Sequence, residues 1–111
     1  MPPIQRGEVW WVSFDPSVGG EIRKTRPAVV VSNNGVNEIL NRVAVVPLSR
    51  QIRKIYPGEA PVTVAGTPAK AMADQIMTVS KLRLRQRLGA LTATEVRAVE
   101  DAILVHLGIW R

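Results

Sequence analysis

The chain has 111 residues, with 15 lysines and arginines against 9 aspartates and glutamates, which gives a formal net charge of +6. This length favours a single domain over residues 1–111, and the basic balance favours a polyanionic partner, nucleic acid first and an acidic protein second. The lack of cysteine excludes disulfides and thiolate chemistry, and the lack of a membrane-length apolar run or a signal-peptide core leads us to expect a cytoplasmic protein with no membrane contact.

Two strand-like segments flank a long polar loop near the N-terminus. Residues 8–14 (EVWWVSF) and 27–32 (PAVVVS) are rich in β-branched and aromatic residues and are bounded by turn formers. A loop of this size between two strands usually has a function. Trp10 and Trp11 are consecutive, so they must face opposite sides of the first strand. The outward tryptophan is expected at a subunit interface or, as the less favoured alternative, stacked on a nucleobase.

The middle of the chain predicts further strands and a basic loop. The predicted elements are a turn at 33–35, a short helical turn at 36–41, and strands at 42–48, 60–65 and 70–79. Between the first two of these strands, residues 49–58 form a loop with four side chains suited to a polyanion: Arg50, Arg53, Lys54 and Tyr56.

The C-terminal part predicts one more charged segment and a helix. Residues 81–88 (KLRLRQRL) alternate cations with leucine or glutamine, which by pattern favours a strand with one charged face. Thr92 and Glu95 have the spacing of a capping box, and Gly108 is a natural residue to follow a helix. The helix between them has an apolar stripe formed by Val96, Val99, Ile103 and Leu107. Strands followed by one terminal helix imply an α+β or small-barrel architecture.

Residues 6–32 combine several of these features into one pattern. An RGEVWW-type strand precedes a D-P-x-x-G-x-E sequence at residues 15–21, and Arg26-Pro27 follows four residues later, before a valine-rich strand. The combination resembles the MazF/PemK (Kid-like) toxin endoribonucleases of type II toxin–antitoxin systems. The resemblance implies a mainly β, SH3-like antiparallel barrel of the CcdB/PemK kind with one C-terminal α-helix. It also implies a short helical turn after residue 80 and a last strand that ends near Leu91.

The resemblance further implies an activity. Such a toxin is a sequence-specific endoribonuclease that cuts single-stranded RNA, acts as a homodimer and is inhibited by a cognate acidic antitoxin. It needs no metal or other cofactor, because the 2′-hydroxyl of RNA attacks the adjacent phosphate and leaves 2′,3′-cyclic phosphate and 5′-hydroxyl ends. The residues agree, since no His, Asp or Glu cluster has metal-ligand spacing. The only histidine, His106, is expected to be structural.

Three positions match the family's catalytic pattern. Arg26, in the Arg-Pro motif, is the leading cation for the charge that develops on the phosphorane, since a guanidinium forks onto phosphate oxygens. Ser49 follows the third strand where the family typically has threonine, so it keeps the hydroxyl and loses a methyl group. Glu21 matches the family's loop glutamate and is expected to accept the 2′-hydroxyl proton or to shape the pocket; a solvated loop carboxylate is the alternative.

A second set of residues is expected to bind RNA. The set comprises Arg23, Lys24, Arg50, Arg53, Lys54, Tyr56, Asp74 and Gln75. In the Kid branch an arginine two positions before the aspartate serves as the acid, but Met72 occupies that position, so the Kid-type acid and base do not carry over. The cations of residues 81–88 either follow the phosphate backbone or form a solvated face; they are Arg83, Arg85 and Arg87.

Two other functions remain open at the level of sequence. A CcdB-like DNA gyrase poison has the same fold but depends on a C-terminal Trp-Gly-Ile, whereas residues 108–111 here are Gly-Ile-Trp-Arg. A noncatalytic RNA-binding module would need the basic surface but neither Arg26 nor Ser49. The Arg26-Pro27 motif favours the ribonuclease.

Overall fold

The computed structural model describes residues 3–14 and 24–110. The strands are β1 (Glu8–Ser13), β2 (Thr25–Val30), β3 (Arg42–Ser49), β4 (Glu59–Val64), β5 (Thr67–Met72), β6 (Met77–Ser80) and β7 (Leu84–Ala90). The helices are α1 (Asn34–Ile39) and α2 (Ala93–Leu107), and short 3₁₀ turns cover Ala73–Gln75 and Lys81–Arg83.

The strands form one antiparallel sheet in the order β4–β5–β3–β2–β1–β7, with β6 paired to β3 off this path. β3 is the longest strand; its first half pairs with β6, and its last two residues pair with β5. The sheet curls, and a Cβ atom on Gly89 of β7 would lie 3.9 Å from Val64 Cγ1 of β4. This half-barrel, followed by one C-terminal helix, confirms the predicted fold class.

Neighbouring residues of the central strands are buried on opposite sides of the sheet, as the strand period of two requires. Val9 of β1 packs in a cluster with Val99 and Ala102 of α2. Trp10 packs in a second cluster on the other side, where it is 7% exposed. Trp11 is only half-buried, so it is the outward tryptophan that the sequence predicted.

Helix α2 begins and ends as the sequence predicts. Thr92 and Glu95 form a capping box, and Gly108 has a φ of 69°, a left-handed conformation that glycine adopts without strain. The predicted apolar stripe was wrong at its end, because Leu107 is 54% exposed. Among the described residues, no helix is long and apolar enough to cross a membrane.

The capping glutamate also ties α2 to the sheet. One carboxylate oxygen of Glu95 accepts the backbone N–H of Thr92 at 2.9 Å, and the other accepts the N–H of Thr63 in β4 at 2.7 Å. Burial alone would raise the pKa of Glu95, but these two bonds and one from the Thr92 hydroxyl outweigh it and lower the pKa. The carboxylate therefore stabilises the helix end and its contact with β4 together.

Three predicted elements differ in the structure. The predicted strand at 70–79 was wrong, because the 3₁₀ turn Ala73–Gln75 divides it into β5 and β6, which pair with different parts of β3. The strand that the pattern alone favoured over 81–88 begins only at Leu84, and the helical turn that the family resemblance implied is confirmed at Lys81–Arg83. Strand β2 begins at Thr25, earlier than predicted, so Arg26 lies within a strand.

Candidate active site

An open groove of about 600 Å³ lies on the sheet beside the β4–β5 hairpin. Its polar wall contains Arg26, Ser49, Arg50 and Gln51. Its apolar wall contains Trp11, Pro27, Leu48, Val64, Met72 and Leu88. The charged side chains among the described lining residues are both arginines, so the groove suits a ligand with anionic groups and at least one flat apolar part.

The strand register explains why Arg26 and Ser49 meet in this groove. β2 and β3 are antiparallel, and Ala28 lies opposite Pro47 at the last paired position. Extended two residues beyond this last pair, the same register directs Arg26 toward Ser49, and both residues line the groove. Side chains directly opposite each other on antiparallel strands have Cβ atoms about 5 Å apart. Two residues that are 23 positions apart in sequence thereby face one ligand.

The Ser49 hydroxyl is oriented by its own chain. Ser49 is half-buried, and its Oγ accepts the backbone N–H of Gln51 at 3.1 Å. A hydroxyl that accepts one hydrogen bond still has its own proton to donate. Ser49 is therefore able to donate a hydrogen bond to an oxygen of a ligand in the groove.

The cations of the groove are accessible. Arg26 and Arg50 are exposed, and the ion pairs among the described residues involve other cations, namely Arg6 with Glu100, Lys70 with Glu59 and Arg87 with Glu8. Lys24, two residues before Arg26, is also exposed, and its carbonyl accepts the N–H of Phe14 at 3.0 Å. The positive side of the groove thus faces solvent, where a phosphate chain can approach.

Three residues of the basic loop lie outside the groove lining. Arg53, Lys54 and Tyr56 are exposed, and the Tyr56 ring has the Lys54 ammonium 5.0 Å from its centroid. The buried Lys70 ammonium lies 5.6 Å from the same ring. Lys70 was missed by the sequence analysis, and its only signal was a single lysine among the alanines of the predicted strand.

Lys70 joins the loop to the sheet through a buried ion pair. Its Nζ donates to the backbone oxygen of Lys54 at 2.9 Å and to Glu59 Oε1 at 3.0 Å. Glu59 Oε1 also accepts the N–H of Tyr56 at 2.8 Å. Burial by itself would raise the pKa of Glu59, but the bonds from Tyr56 and Lys70 and the charge of Lys70 lower it overall.

Several other predicted contacts are placed away from the groove lining. Asp74 and Gln75 are exposed on the 3₁₀ turn after β5, and Gln75 contacts the sulfur of Met72, which does line the groove. Glu21 and Arg23 lie outside the described residues. His106 is exposed near the end of α2.

Two of the three arginines in residues 81–88 make contacts within the protein. Arg83 donates to the backbone oxygen of Ser13 at 3.2 Å, and Arg87 pairs with Glu8 at 3.0 Å. Arg85 is exposed. Arg83 and Arg87 therefore connect β1 to β7 and to the turn before it, and the exposed Arg85 is compatible with either predicted role.

The apolar wall contains residues that the sequence analysis did not assign to the site. Trp11 is paired with Pro27 across β1 and β2, and Leu88 joins them from β7. The half-buried tryptophan was the available signal, since consecutive tryptophans on one strand place one of them outside. Among the described residues, no group of three or more His, Asp or Glu side chains is arranged to hold a metal ion.

Comparison with known proteins assigns this chain to a family. The model of the family described as "PemK-like, MazF-like toxin of type II toxin-antitoxin system" matches residues 5–107. Endoribonuclease MazF9 of Mycobacterium tuberculosis (strain ATCC 25618 / H37Rv) is 35% identical over 116 residues, which cover 96% of this chain and 98% of that protein.

Solved structures agree over nearly the whole chain. An endoribonuclease from a mycobacterial species superposes with a TM-score of 0.83 at 25% identity, and the match covers 100% of this chain and 98% of that one. An endoribonuclease in complex with its cognate antitoxin, also mycobacterial, gives a TM-score of 0.80 at 25% identity over 97% and 99% of the two chains.

The chain belongs to the PemK-like, MazF-like toxin family of type II toxin–antitoxin systems. The family and the enzyme class, endoribonuclease, that the pattern of residues 6–32 predicted are confirmed by these relatives.

Proposed function

We propose that this protein is a toxin that cuts single-stranded RNA in the groove between Arg26 and Ser49, without a metal ion. The observation that carries the proposal is the register of β2 and β3, which brings a guanidinium and a hydroxyl to one open groove. A flat apolar wall in the same groove supports RNA as the ligand, because an unpaired base offers a surface to stack and its phosphate an anion to bind.

The proposed reaction uses the substrate's own nucleophile. The ribose 2′-oxygen forms a bond to the adjacent phosphorus while the bond from phosphorus to the 5′-oxygen of the next nucleotide breaks. The 2′-proton leaves to a base, and the departing 5′-oxygen takes up a proton. The products are a 2′,3′-cyclic phosphate and a 5′-hydroxyl.

Arg26 and Ser49 have separate roles in this step. The Arg26 guanidinium donates to the nonbridging phosphate oxygens, where negative charge grows in the transition state, and is the proposed cation or acid of the reaction. The Ser49 hydroxyl donates to a second oxygen and fixes the phosphate in line for attack. Glu21 is the proposed acceptor of the 2′-proton, from the family pattern.

The remaining residues are proposed to bind the chain on either side of the scissile bond. Lys24 and Arg50 contact phosphates, and Trp11 stacks a base against the apolar wall. Asp74 and Gln75, with the further loop residues Arg23, Arg53, Lys54 and Tyr56, are proposed to contact neighbouring nucleotides. These side chains would set the sequence preference, since base edges are read by polar groups and base faces by aromatic ones.

The toxin is proposed to act as a homodimer and to be inhibited by an acidic antitoxin segment that competes for the same cations. A curled sheet of this size with an exposed edge strand, β4 or β7, suits twofold assembly. The complex of a related endoribonuclease with its cognate antitoxin supports the partner class.

The test is to incubate the purified protein with a mixed RNA pool in EDTA and to map both ends of every product. Cuts that leave 2′,3′-cyclic phosphate and 5′-hydroxyl ends, and that fail at a 2′-O-methyl nucleotide, are the expected result. Activity that disappears in EDTA would refute the metal-free reaction. RNA binding without any cut would favour the noncatalytic module, and inhibition of gyrase without RNA cleavage would favour the CcdB-like alternative.

A further inference from the structure

The loop at residues 50–58 contains cations for RNA but few contacts that fix its shape. It joins β3 to β4, and most of its side chains are exposed. Surface loops of this kind are mobile unless something ties them to the fold. The shape of this loop matters because Arg50 at its start lines the groove and Tyr56 lies near its end.

Lys70 supplies such a tie from inside the sheet. It lies opposite Ser49 in the pairing of β3 with β5, so it is next to the groove, and the residue is 7% exposed. From there its ammonium reaches back to the Lys54 carbonyl in the middle of the loop and to Glu59 just after it. The Lys70 side chain therefore ties the middle of the loop to the residue that follows its end, and the Lys70 backbone is paired with Ser49, just before its start.

A buried lysine is a costly way to fill this position if packing alone is required. Desolvation of a buried ion pair offsets much of its attraction, and well-packed apolar residues of similar size often stabilise a fold as well or better. What an apolar residue cannot do here is bind the Lys54 carbonyl and attract the Tyr56 ring, whose centroid is 5.6 Å from the ammonium. Every contact that requires the ammonium group is made with the loop, at Lys54 and Tyr56, or with Glu59 directly after it.

We propose that Lys70 is a positioning residue of the RNA site: its buried ammonium holds the 50–58 loop in the conformation that binds RNA. The inference rests on the proposed function. It assigns Lys70 to binding and not to the chemical step, because Arg26 and Ser49 are fixed by the strands on which they lie.

The first variant is Lys70→Met, which keeps an unbranched apolar stem and removes the ammonium. We expect the KM for a short RNA substrate to rise about tenfold and kcat to change by less than about threefold, as for a residue that contributes to binding only. Lys81→Met is the matched control, since it removes one positive charge at a residue that does not line the groove, and its KM should stay within about twofold of wild type.

The second variant separates positioning from simple stability. Lys70→Met leaves the Glu59 carboxylate buried without its partner, which is destabilising in itself. In Lys70→Met/Glu59→Gln both charges are absent, and the amide oxygen still accepts the Tyr56 N–H. We expect the Tm to return toward that of wild type while the KM stays raised, because the bond to the Lys54 carbonyl is still missing. A KM that recovers together with the Tm would reduce Lys70 to a structural residue and overturn the inference.

Hydrogen exchange of the free protein provides a readout that needs no RNA. The amides of residues 50–58 should exchange faster in the double variant than in wild type, with the amides of β1 and β2 unchanged. Unchanged exchange in the loop would also overturn the inference.

The cleavage assay distinguishes failure of the proposed function from failure of this inference. If the wild-type protein cuts no RNA, the proposed function fails and this inference fails with it. Normal cleavage with an unchanged KM in both variants rejects the role of Lys70 alone.

Discussion

Substitution of Arg26 by alanine tests the centre of the proposed reaction. Arg26 lies at the second position of β2, is exposed, and lines the groove opposite Ser49. The substitution removes the guanidinium and leaves the pairing of β2 with β1, at Val12 and Ser13, to hold the backbone in place. We therefore expect a folded protein with a strongly reduced rate of RNA cleavage.

The magnitude follows from what the guanidinium does in the transition state. A positioned donor to a developing oxyanion contributes roughly 100-fold to 1,000-fold in rate, or about 3 to 4 kcal/mol. The stability should change by about 0.5 kcal/mol or less, since exposed residues outside buried networks contribute little. The loss of rate would then exceed any loss of folded protein by orders of magnitude.

Two further variants show whether charge or geometry is responsible. Arg26→Lys keeps the positive charge but loses the planar fork, so its rate should fall between those of wild type and Arg26→Ala. Arg42→Ala removes an exposed arginine at the start of β3 that does not line the groove, and we expect a rate within about twofold of wild type. This control has the same net charge as Arg26→Ala.

The assay is single-turnover cleavage of one short RNA in EDTA, with circular dichroism to verify folding. The decisive comparison is the rate of Arg26→Ala against that of Arg42→Ala at equal salt. A folded Arg26→Ala protein that cuts at the wild-type rate would refute the reasoning. Equal losses in both variants would show that overall charge, and not the groove, accounts for the effect.

Other expectations follow from the same structure. Ser49→Ala should lower the rate about tenfold, as loss of one neutral hydrogen bond predicts, and Ser49→Thr should retain activity; single-turnover kinetics measures both. RNA affinity should fall with salt, with a log–log slope of about 0.7 per neutralised phosphate, and a flat response would exclude the basic groove. Glu95→Gln should lower the free energy of unfolding by about 1 kcal/mol at neutral pH. Because the folded pKa of Glu95 is lowered, its stabilisation is present above the unfolded pKa near 4.3 and is lost as the pH falls through the folded pKa, so urea titrations of wild type and variant should converge in acid. Light scattering at micromolar concentration should give a dimer, and a monomer of about 12 kDa throughout would reject that assembly.

Local sequence features predicted the elements whose causes are local. The capping box of α2, the left-handed Gly108 and the alternating burial of β4 all depend on residues within a few positions of one another, and each is present in the structure. The pattern around Arg26-Pro27 went further and gave the family. That prediction of the family came from resemblance to known proteins and not from the physical properties of the segment.

Features that depend on how strands distant in sequence pair with each other could not be predicted from local sequence. Residues 70–79 were predicted as one strand, but β3 changes its partner from β5 to β6, and a 3₁₀ turn at Ala73–Gln75 separates these two strands. Lys70 is placed beside the groove by its pairing with Ser49, and Leu88 is placed in it by the pairing of β7 with β1, so both depend on strands far away in sequence. Leu107 fits the helical stripe but is exposed, because the helix sequence does not show how far the packing of α2 on the sheet extends.

The residues of the proposed site lie on two kinds of backbone, paired strands and a loop. Arg26 and Ser49 lie on paired strands, where backbone hydrogen bonds fix them closely, and reacting groups need that accuracy because small displacements cost large factors in rate. Arg50, Lys54 and Tyr56 lie on a loop, where a contact to a flexible single strand tolerates more variation. Substitutions on the strands should therefore lower kcat, and substitutions that loosen the loop should raise KM. Arg26→Ala in the groove and Lys70→Met beside it are one pair of such changes, and an Arg26→Ala protein with a raised KM and a normal kcat would contradict this division of roles.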